Sequence, residues 1–438
     1  MKHSPNPAPV DQRRIFRTWL PLALSWMLMG AEMPAFTAFV GNMLDPRIHL
    51  AAWGSLVFPL SLVIEGPIIQ MLAASTALAE DAESWKKLRR WMFQLAGVLS
   101  ALHALIAFTP IFDWIALDII GVPPDVLEPG RLGFQIMLPW TMSIAWRRFN
   151  QGVLIRTERA RLVTAGTAIR LGVLLITLKF LPSISESPGV VVGSIAVALA
   201  VISEALFSEW AARPAVRERI MTALPAKQKL TAASFRAFYI PLALTPLITL
   251  FIQPVGSAAM SRMPEALDSL ACWSPVHGLI FLVRATGFAF QEVVVALSPQ
   301  PHAKKELVRF AKRLGLAAVA TLSVIAFTPL GSYWFGTISG LPTNMVSLSV
   351  TAVGLAVLMP GYAVAQSLFQ GQLVHARKTK AITHSVLIYA ITASAGLFLG
   401  ATLDNTPGII WAIATFTTAG ILQTLFLRYH SRRLPSPP

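Results

Sequence analysis

The 438-residue chain is poor in charge and almost without cysteine. Aspartate, glutamate, lysine and arginine make up 13% of it, about half of the roughly 25% usual in soluble domains. So little charge excludes an ordinary soluble surface. Cys272 is the single cysteine. That excludes an internal disulfide and a thiolate metal cage, and Cys272 reads as a small apolar filler. There is no His-Glu-x-x-His, Gly-x-Ser-x-Gly or Walker segment. Zinc-protease, serine-hydrolase and ATP-driven chemistry therefore lack their carriers. No enzymatic activity, cofactor or metal is expected. Neither a low-complexity segment nor a soluble domain stands out. A cleavable leader is not expected, because MKHSPNPAPVDQRRIFR is polar and the apolar run after it is too long for a signal core.

What the chain has is apolar residues, 55% of the total, in long runs. Twelve of these read as membrane spans: about 15–42, 48–78, 86–112, 129–155, 159–182, 188–211, 232–260, 267–297, 306–330, 343–372, 381–402 and 405–427. The expected fold is all-α and polytopic. The net charge of +15 could suggest nucleic acid, but its distribution points elsewhere. Of 36 lysines and arginines, 28 fall on one side of these spans, among them Lys2, KKLRR at 86–90, Lys227 and Arg377, and four fall on the other. Basic residues collect on the cytoplasmic side of membranes. Both termini are therefore expected to be cytoplasmic, in the plasma (inner) membrane. The excess meets anionic lipid, and no nucleic-acid partner is expected.

The sequence repeats at about 220 residues. FRTWLPLALS (16–25) returns as FRAFYIPLALT (235–245), and IAFTP occurs at both 106–110 and 325–329. FNQGVLIRTERARL (149–162) returns as FQGQLVHARKTKAI (369–382), and IMLP near Pro139 as VLMP near Pro360. Six spans per half make the relation parallel, about an axis along the membrane normal. The expected organisation is an N-terminal lobe at 1–212, a basic connection at 213–231 and a C-terminal lobe at 232–438. Two six-helix lobes around a cavity describe a secondary transporter working as a monomer.

Ionisable groups inside spans are costly and usually face a cavity or a partner. Glu32 lies roughly 24 Å along the first span, beside Pro34. Glu65 precedes Gly66–Pro67, a bend signal, with Gln70 about one turn on. Arg147 and Arg148 are adjacent in the fourth span. Pro139, Ser143, Arg147 and Asn150 fall on one face and make a polar stripe, expected to point Arg147 into the cavity between lobes. Arg148 lies on another face and is expected to snorkel or pack. Arg284 and Glu292, eight residues apart, share a face about 12 Å from each other; Glu292 is a candidate gate. Gln253 and His277 add polarity to the second half. His103, Arg170 and Glu204 read as structural, with Glu204 able to pair with Arg170. The candidate substrate site is Arg147, Arg284, Glu32, Glu65, Gln253 and His277, with Arg148, Glu292, Gln70 and Asn150 as gating or secondary residues. Guanidinium groups bind carboxylates and phosphates in bidentate fashion, so a small anion is the expected substrate, with H+ or Na+ as coupling ion through Glu32 or Glu65. Alternatives are an H+- or Na+-coupled drug exporter and a flippase for lipid-linked substrates, marked by a lateral groove between spans 1 and 8.

Several segments resemble the multidrug/oligosaccharidyl-lipid/polysaccharide exporter superfamily, which includes MATE exporters and lipid flippases. Within it they are most similar to the progressive ankylosis (ANK) family. LPWTMSIAWRRFNQGVLIRTERARLV is similar to that family's Pro-x-Met-x-x-Ala-Trp segment and its basic loop. LSLVIEGPI, GAEMPAF, FIQPVGSAAMSR and SPVHGLIF resemble its spans 2, 1, 7 and 8, and place its glutamate at Glu32. After that glutamate the family has polar and basic residues where this chain has MPAFTAF. The resemblance implies a V-shaped, MATE-like fold and alternating-access export of small organic anions such as citrate, pyrophosphate or nucleotides.

Overall fold

The computed structural model describes residues 10–184, 186–226, 228–298, 300, 303–376, 378, 380–403 and 405–434. Lys2, Lys227 and Arg377, counted above with the basic side, lie outside them. Among the described residues there is no β-strand. Twelve long helical elements follow one another: α1 (Gln12–Val40), α2 (Pro46–Leu78), α3 (Ala82–Phe108), α4 (Pro124–Ile136 continued by Leu138–Arg156), α5 (Arg161–Ile184), α6 (Gly189–Ile220), α7 (Ala232–Met260), α8 (Ala266–Leu297), α9 (Ala303–Phe327), α10 (Thr343–His375), α11 (Lys380–Leu403) and α12 (Gly408–Arg432). Eleven are long and apolar enough to cross a bilayer. The exception is α4, which carries Arg131, Arg147, Arg148 and Arg156. It is nonetheless packed inside the bundle, against α2, α3 and α6. Large apolar side chains face outward elsewhere, such as Leu102, Phe180 and Phe398. An apolar perimeter is the reverse of a soluble domain and suits lipid.

The breaks in these helices follow from proline. Pro34 cannot donate to Gly30, and α1 turns at Ala31, next to Glu32. Beyond Gly66–Pro67, α2 turns at Gln70. In the repeat, IMLP and VLMP mark equivalent breaks, at Met137 in α4 and at 356–358 in α10. The duplicated IAFTP also folds the same way twice. Thr109 bonds the carbonyl of Leu105 and receives the N–H of Ile111; Thr328 bonds Val324 and receives Leu330. Each starts a short helical segment, Ile111–Asp113 and Pro329–Ser332. The sixth helix runs eight residues past residue 212, so the connection between halves is 221–231.

The halves exchange the starts of their first helices. Ile15 of α1 sits in a cluster with Phe290, Val293, Leu307 and Phe310 of the second half, and Trp19 donates to the carbonyl of Thr286 at 2.8 Å. Reciprocally, Phe235 of α7 stacks on Trp91 at 4.7 Å and Tyr239 donates to the carbonyl of Pro67 at 2.5 Å. At the bundle end opposite the 221–231 connection the halves are closed on one another. Arg47 is ion-paired with Asp268, which also accepts from Asn344 at 3.1 Å. Arg262 donates to the carbonyls of Asp118, Ile119 and Ile120 at 2.8–3.1 Å. Here backbone meets backbone. Gly340 has φ +65°, and a Cβ on it would come within 2.6 Å of the Gly41 carbonyl oxygen.

Candidate functional site

On α8, Trp273, His277, Phe281, Arg284 and Phe288 recur at intervals of four, four, three and four residues, which puts them on one helical face. That face lines a cavity of about 370 Å³ in the second half. The other walls are Thr249, Ile252 and Gln253 of α7, Met359, Tyr362, Gln366 and Gln370 of α10, Val386 and Tyr389 of α11, and Ile413, Phe416 and Gln423 of α12. The structure thus brings together three of the expected residues: Arg284, His277 and Gln253. Arg284 lies 5.4 Å from the ring of Phe288 and 5.9 Å from that of Tyr362, and its Nε has no hydrogen-bond partner. Among the described residues no aspartate or glutamate lines the cavity, and Arg284 is its only lysine or arginine. Among the described residues Arg284 makes no ion pair, and a guanidinium among rings favours an anionic partner on general grounds.

The first half holds a different arrangement. Arg147 is 3% exposed and donates to Glu204, which is fully buried, at 2.6 Å. Glu204 also accepts from Gln151 at 2.9 Å and Thr167 at 3.3 Å, and stands 3.6 Å from Arg170. Arg170 in turn donates to Glu32 at 2.5 Å. This corrects the expectation for the polar stripe of α4. Ser143, Arg147 and Asn150 are buried, and the stripe faces α6 within its own half instead of a cavity between halves. The reason is that α6 carries Glu204 and Glu209, and buried charge is stable only against a partner. Asn150 donates to Glu209 at 3.1 Å, beside a small cavity of about 260 Å³ lined by Arg89, Arg213 and Arg217. Glu32 is likewise taken up by Arg170 and is not in the second-half cavity.

Arg148 does not snorkel. Its Nε is buried, without a hydrogen-bond partner among the described residues. Glu65 is 5% exposed and its Oε2 also lacks a hydrogen-bond partner. Among the described residues the two make no direct ion pair with each other or with any third group. Gln70 sits at the α2 break. Glu292 forms no ion pair among the described residues. It lies in a groove of about 500 Å³ between α1 and α8, lined by Trp26, Phe288, Gln291, Glu292, Val295 and Ala296. Phe288 lines both this groove and the second-half cavity. His103, read as structural, bridges Thr141 and the carbonyl of Phe134, both at 2.9 Å. Sequence reasoning missed the aromatic walls. The α8 stripe was available at its four- and three-residue spacing, but Tyr362, Tyr389 and Phe416 come from three further helices and meet only through packing.

No family model and no curated protein matches the chain. Solved structures share its fold. An inward-facing multidrug resistance MATE family transporter of the MOP superfamily superposes with a TM-score of 0.74 at 13% identity, covering 95% of this chain and 98% of that one. The lipid II flippase MurJ, in an inward closed conformation, gives 0.73 at 13% identity over 95% and 88%. A MOP superfamily transporter from Pyrococcus furiosus, whose binding pocket is described as having reverse polarity that suggests a different function, gives 0.61 at 16% identity over 98% of both chains. The fold is that of the MATE and MOP transporters.

Proposed function

We propose that the chain is a secondary transporter that exports a small organic or phosphate-containing anion by alternating access, in the manner of the progressive ankylosis type. The observation that carries this is Arg284, a guanidinium that among the described residues has no counterion and shares its cavity with no aspartate or glutamate. A cationic drug would meet net positive charge there, which weighs against the multidrug alternative. The two halves, up to Ile220 and from Ala232 onward, would be the moving lobes, acting as a monomer and joined by the 221–231 connection. With the basic end cytoplasmic, in the plasma (inner) membrane, closure at the far end through Arg47, Asp268 and Arg262 fits an inward-facing state. Glu65, which has no salt-bridge partner among the described residues, suits coupling to H+ or Na+ better than Glu32, which Arg170 holds. Purified protein in proteoliposomes is to be offered citrate, pyrophosphate, a nucleotide and a cationic dye. An anion should be transported, and Arg284→Gln should abolish it. Wild-type transport by that variant would sink the reading.

One observation favours a second reading. The groove between α1 and α8 adjoins the cavity through Phe288, and a lipid tail could lie there while its anionic headgroup met Arg284. Translocation of a fluorescent lipid-linked anion in the same liposomes would separate a flippase from a carrier of soluble anions.

A further inference from the structure

Resting on the anion reading above, we infer that the second-half cavity takes a singly charged, ring-bearing acid, an aromatic carboxylate, in preference to a compact polyanion. The first argument is charge. Arg284 is the only lysine or arginine on the cavity wall among the described residues. One guanidinium meets one carboxylate in a two-pronged contact. A compact ion with two or three charges leaves the remainder buried without a partner, and an unpaired buried charge is strongly disfavoured.

The second argument is the wall itself. Trp273 stacks on His277 at 5.3 Å and meets Phe416 at 5.6 Å, and Tyr389 follows at 6.4 Å from Phe416. Ring faces carry the negative lobe of an aromatic quadrupole. They repel a compact anion that lies against them and accept another ring by stacking. Phe288 and Tyr362 hold Arg284 by the same quadrupole, so the cation is presented at the edge of an aromatic chamber.

The third argument is hydrogen-bonding capacity. Gln366 is already engaged, donating to Gln423 at 3.1 Å and Thr424 at 3.0 Å. Gln253 and Gln370 make no side-chain hydrogen bond among the described residues and line the same space. Two free amides serve a ring substituent or the outer oxygen of a carboxylate. They add dipoles but no charge, so they do not raise the tolerance for polyanions. At about 370 Å³ the cavity is near the lower end of the roughly 300–1,000 Å³ of small-molecule sites. A one- or two-ring acid fits that size.

The test is binding to the full chain in lipid nanodiscs, read by calorimetry, with indole-3-acetate, benzoate, acetate, citrate, pyrophosphate and ethidium as probes. Indole-3-acetate is expected to bind about tenfold or more tightly than acetate, citrate or pyrophosphate, since several ring contacts combine. Arg284→Gln should remove that binding, and Arg284→Lys should restore part of it, which guards against mere misfolding. Phe416→Leu should reduce the preference for indole-3-acetate over acetate by about three- to tenfold, the range of one aromatic contact. Tighter binding of citrate or pyrophosphate through Arg284 would overturn this inference and leave the anion reading standing. Binding of ethidium with no anion bound would overturn both.

Discussion

Arg147 of α4 and Glu204 of α6 are joined at 2.6 Å, and neither residue is more than 3% exposed. Glu204 is further held by Gln151 and Thr167, so its carboxylate is fully occupied. Such a pair is hard to break from one side, because the survivor keeps its charge without its partner. Arg147→Gln or Glu204→Gln alone should cost about 3–5 kcal/mol of stability. The double variant should cost clearly less than the sum of the two. Unfolding midpoints in detergent, arranged as a double-mutant cycle, measure this. A wild-type midpoint for Glu204→Gln would mean that the pair does not brace the half.

Glu65 should behave in the opposite way. It is nearly as buried as Arg147, but among the described residues it has no salt bridge and its Oε2 no hydrogen-bond partner. Glu65→Gln keeps the shape and removes a buried charge, so stability should stay within about 1 kcal/mol of wild type or rise. If Glu65 carries the coupling ion, the same variant should still bind substrate but no longer respond to an imposed proton or sodium gradient. A loss of several kcal/mol would show that Glu65 is structural like Glu204.

The contrast between these carboxylates marks what could be read from sequence. Span positions, the duplication and the breaks beside Pro34 and Pro67 are local properties of composition and backbone chemistry, and they were legible; the breaks at Met137 and 356–358 were not read from IMLP and VLMP. Arg284, Gln253 and His277, which line one cavity, stand out in the sequence because each is a polar group in an apolar run. Arg147 was misplaced because its face depends on α6, and nothing in the α4 sequence states that Glu204 lies opposite. The aromatic chamber was invisible for a related reason. Tyr362, Tyr389 and Phe416 look like ordinary apolar filler until three helices place them around one guanidinium.

Gly420 makes that chamber possible. A Cβ at this position would come within 2.4 Å of the Tyr362 ring and hydroxyl. Gly420→Ala should therefore push Tyr362 off its place beside Arg284. The expected result is an intact fold with anion affinity reduced by about threefold to tenfold, the worth of one cation–aromatic contact. Gly172, where an added Cβ meets nothing within 4 Å, is the control: Gly172→Ala should leave affinity unchanged. Equal affinity in both variants would separate Tyr362 from binding.

Asp81 ties the connection between halves to the start of α3. It accepts the backbone N–H of Ala226 at 2.8 Å and that of Ser84 at 2.8 Å. These two donors, Ala226 foremost, hold its carboxyl down to about 2 from an ordinary 3.8. A carboxyl lowered on folding stabilises at pH values above its unfolded value and loses that contribution as pH falls through the folded one. The tether should be intact at neutral pH, weaken below about pH 4 and be lost below about pH 2. Asp81→Ala should lose it at every pH, at a cost of about 0.5–2 kcal/mol as for other helix caps. Hydrogen exchange at Ala226 reports both; protection in Asp81→Ala at neutral pH would contradict the assignment.

The closed end offers a built-in reporter. Cys272, the single cysteine, is fully buried on α8 one turn from Asp268, with its sulfur 3.6 Å from the carbonyl of Met345. Its sulfur packs on Met345 of its own half, so a maleimide can reach it only when this end of the bundle loosens. Among the contacts between the halves at this end are the Arg47–Asp268 pair, and Arg262 on the carbonyls at the end of Trp114–Ile120. Arg262 meets three carbonyls at the negative end of a helical segment. Arg262→Ala should raise the rate of Cys272 labelling, and adding Arg47→Gln should raise it further. Wild type should label slowly, and a substrate that drives the protein through its cycle should speed it. If the double variant labels no faster than wild type, these side chains do not hold the end shut and the backbone contact of Gly41 with Gly340 suffices.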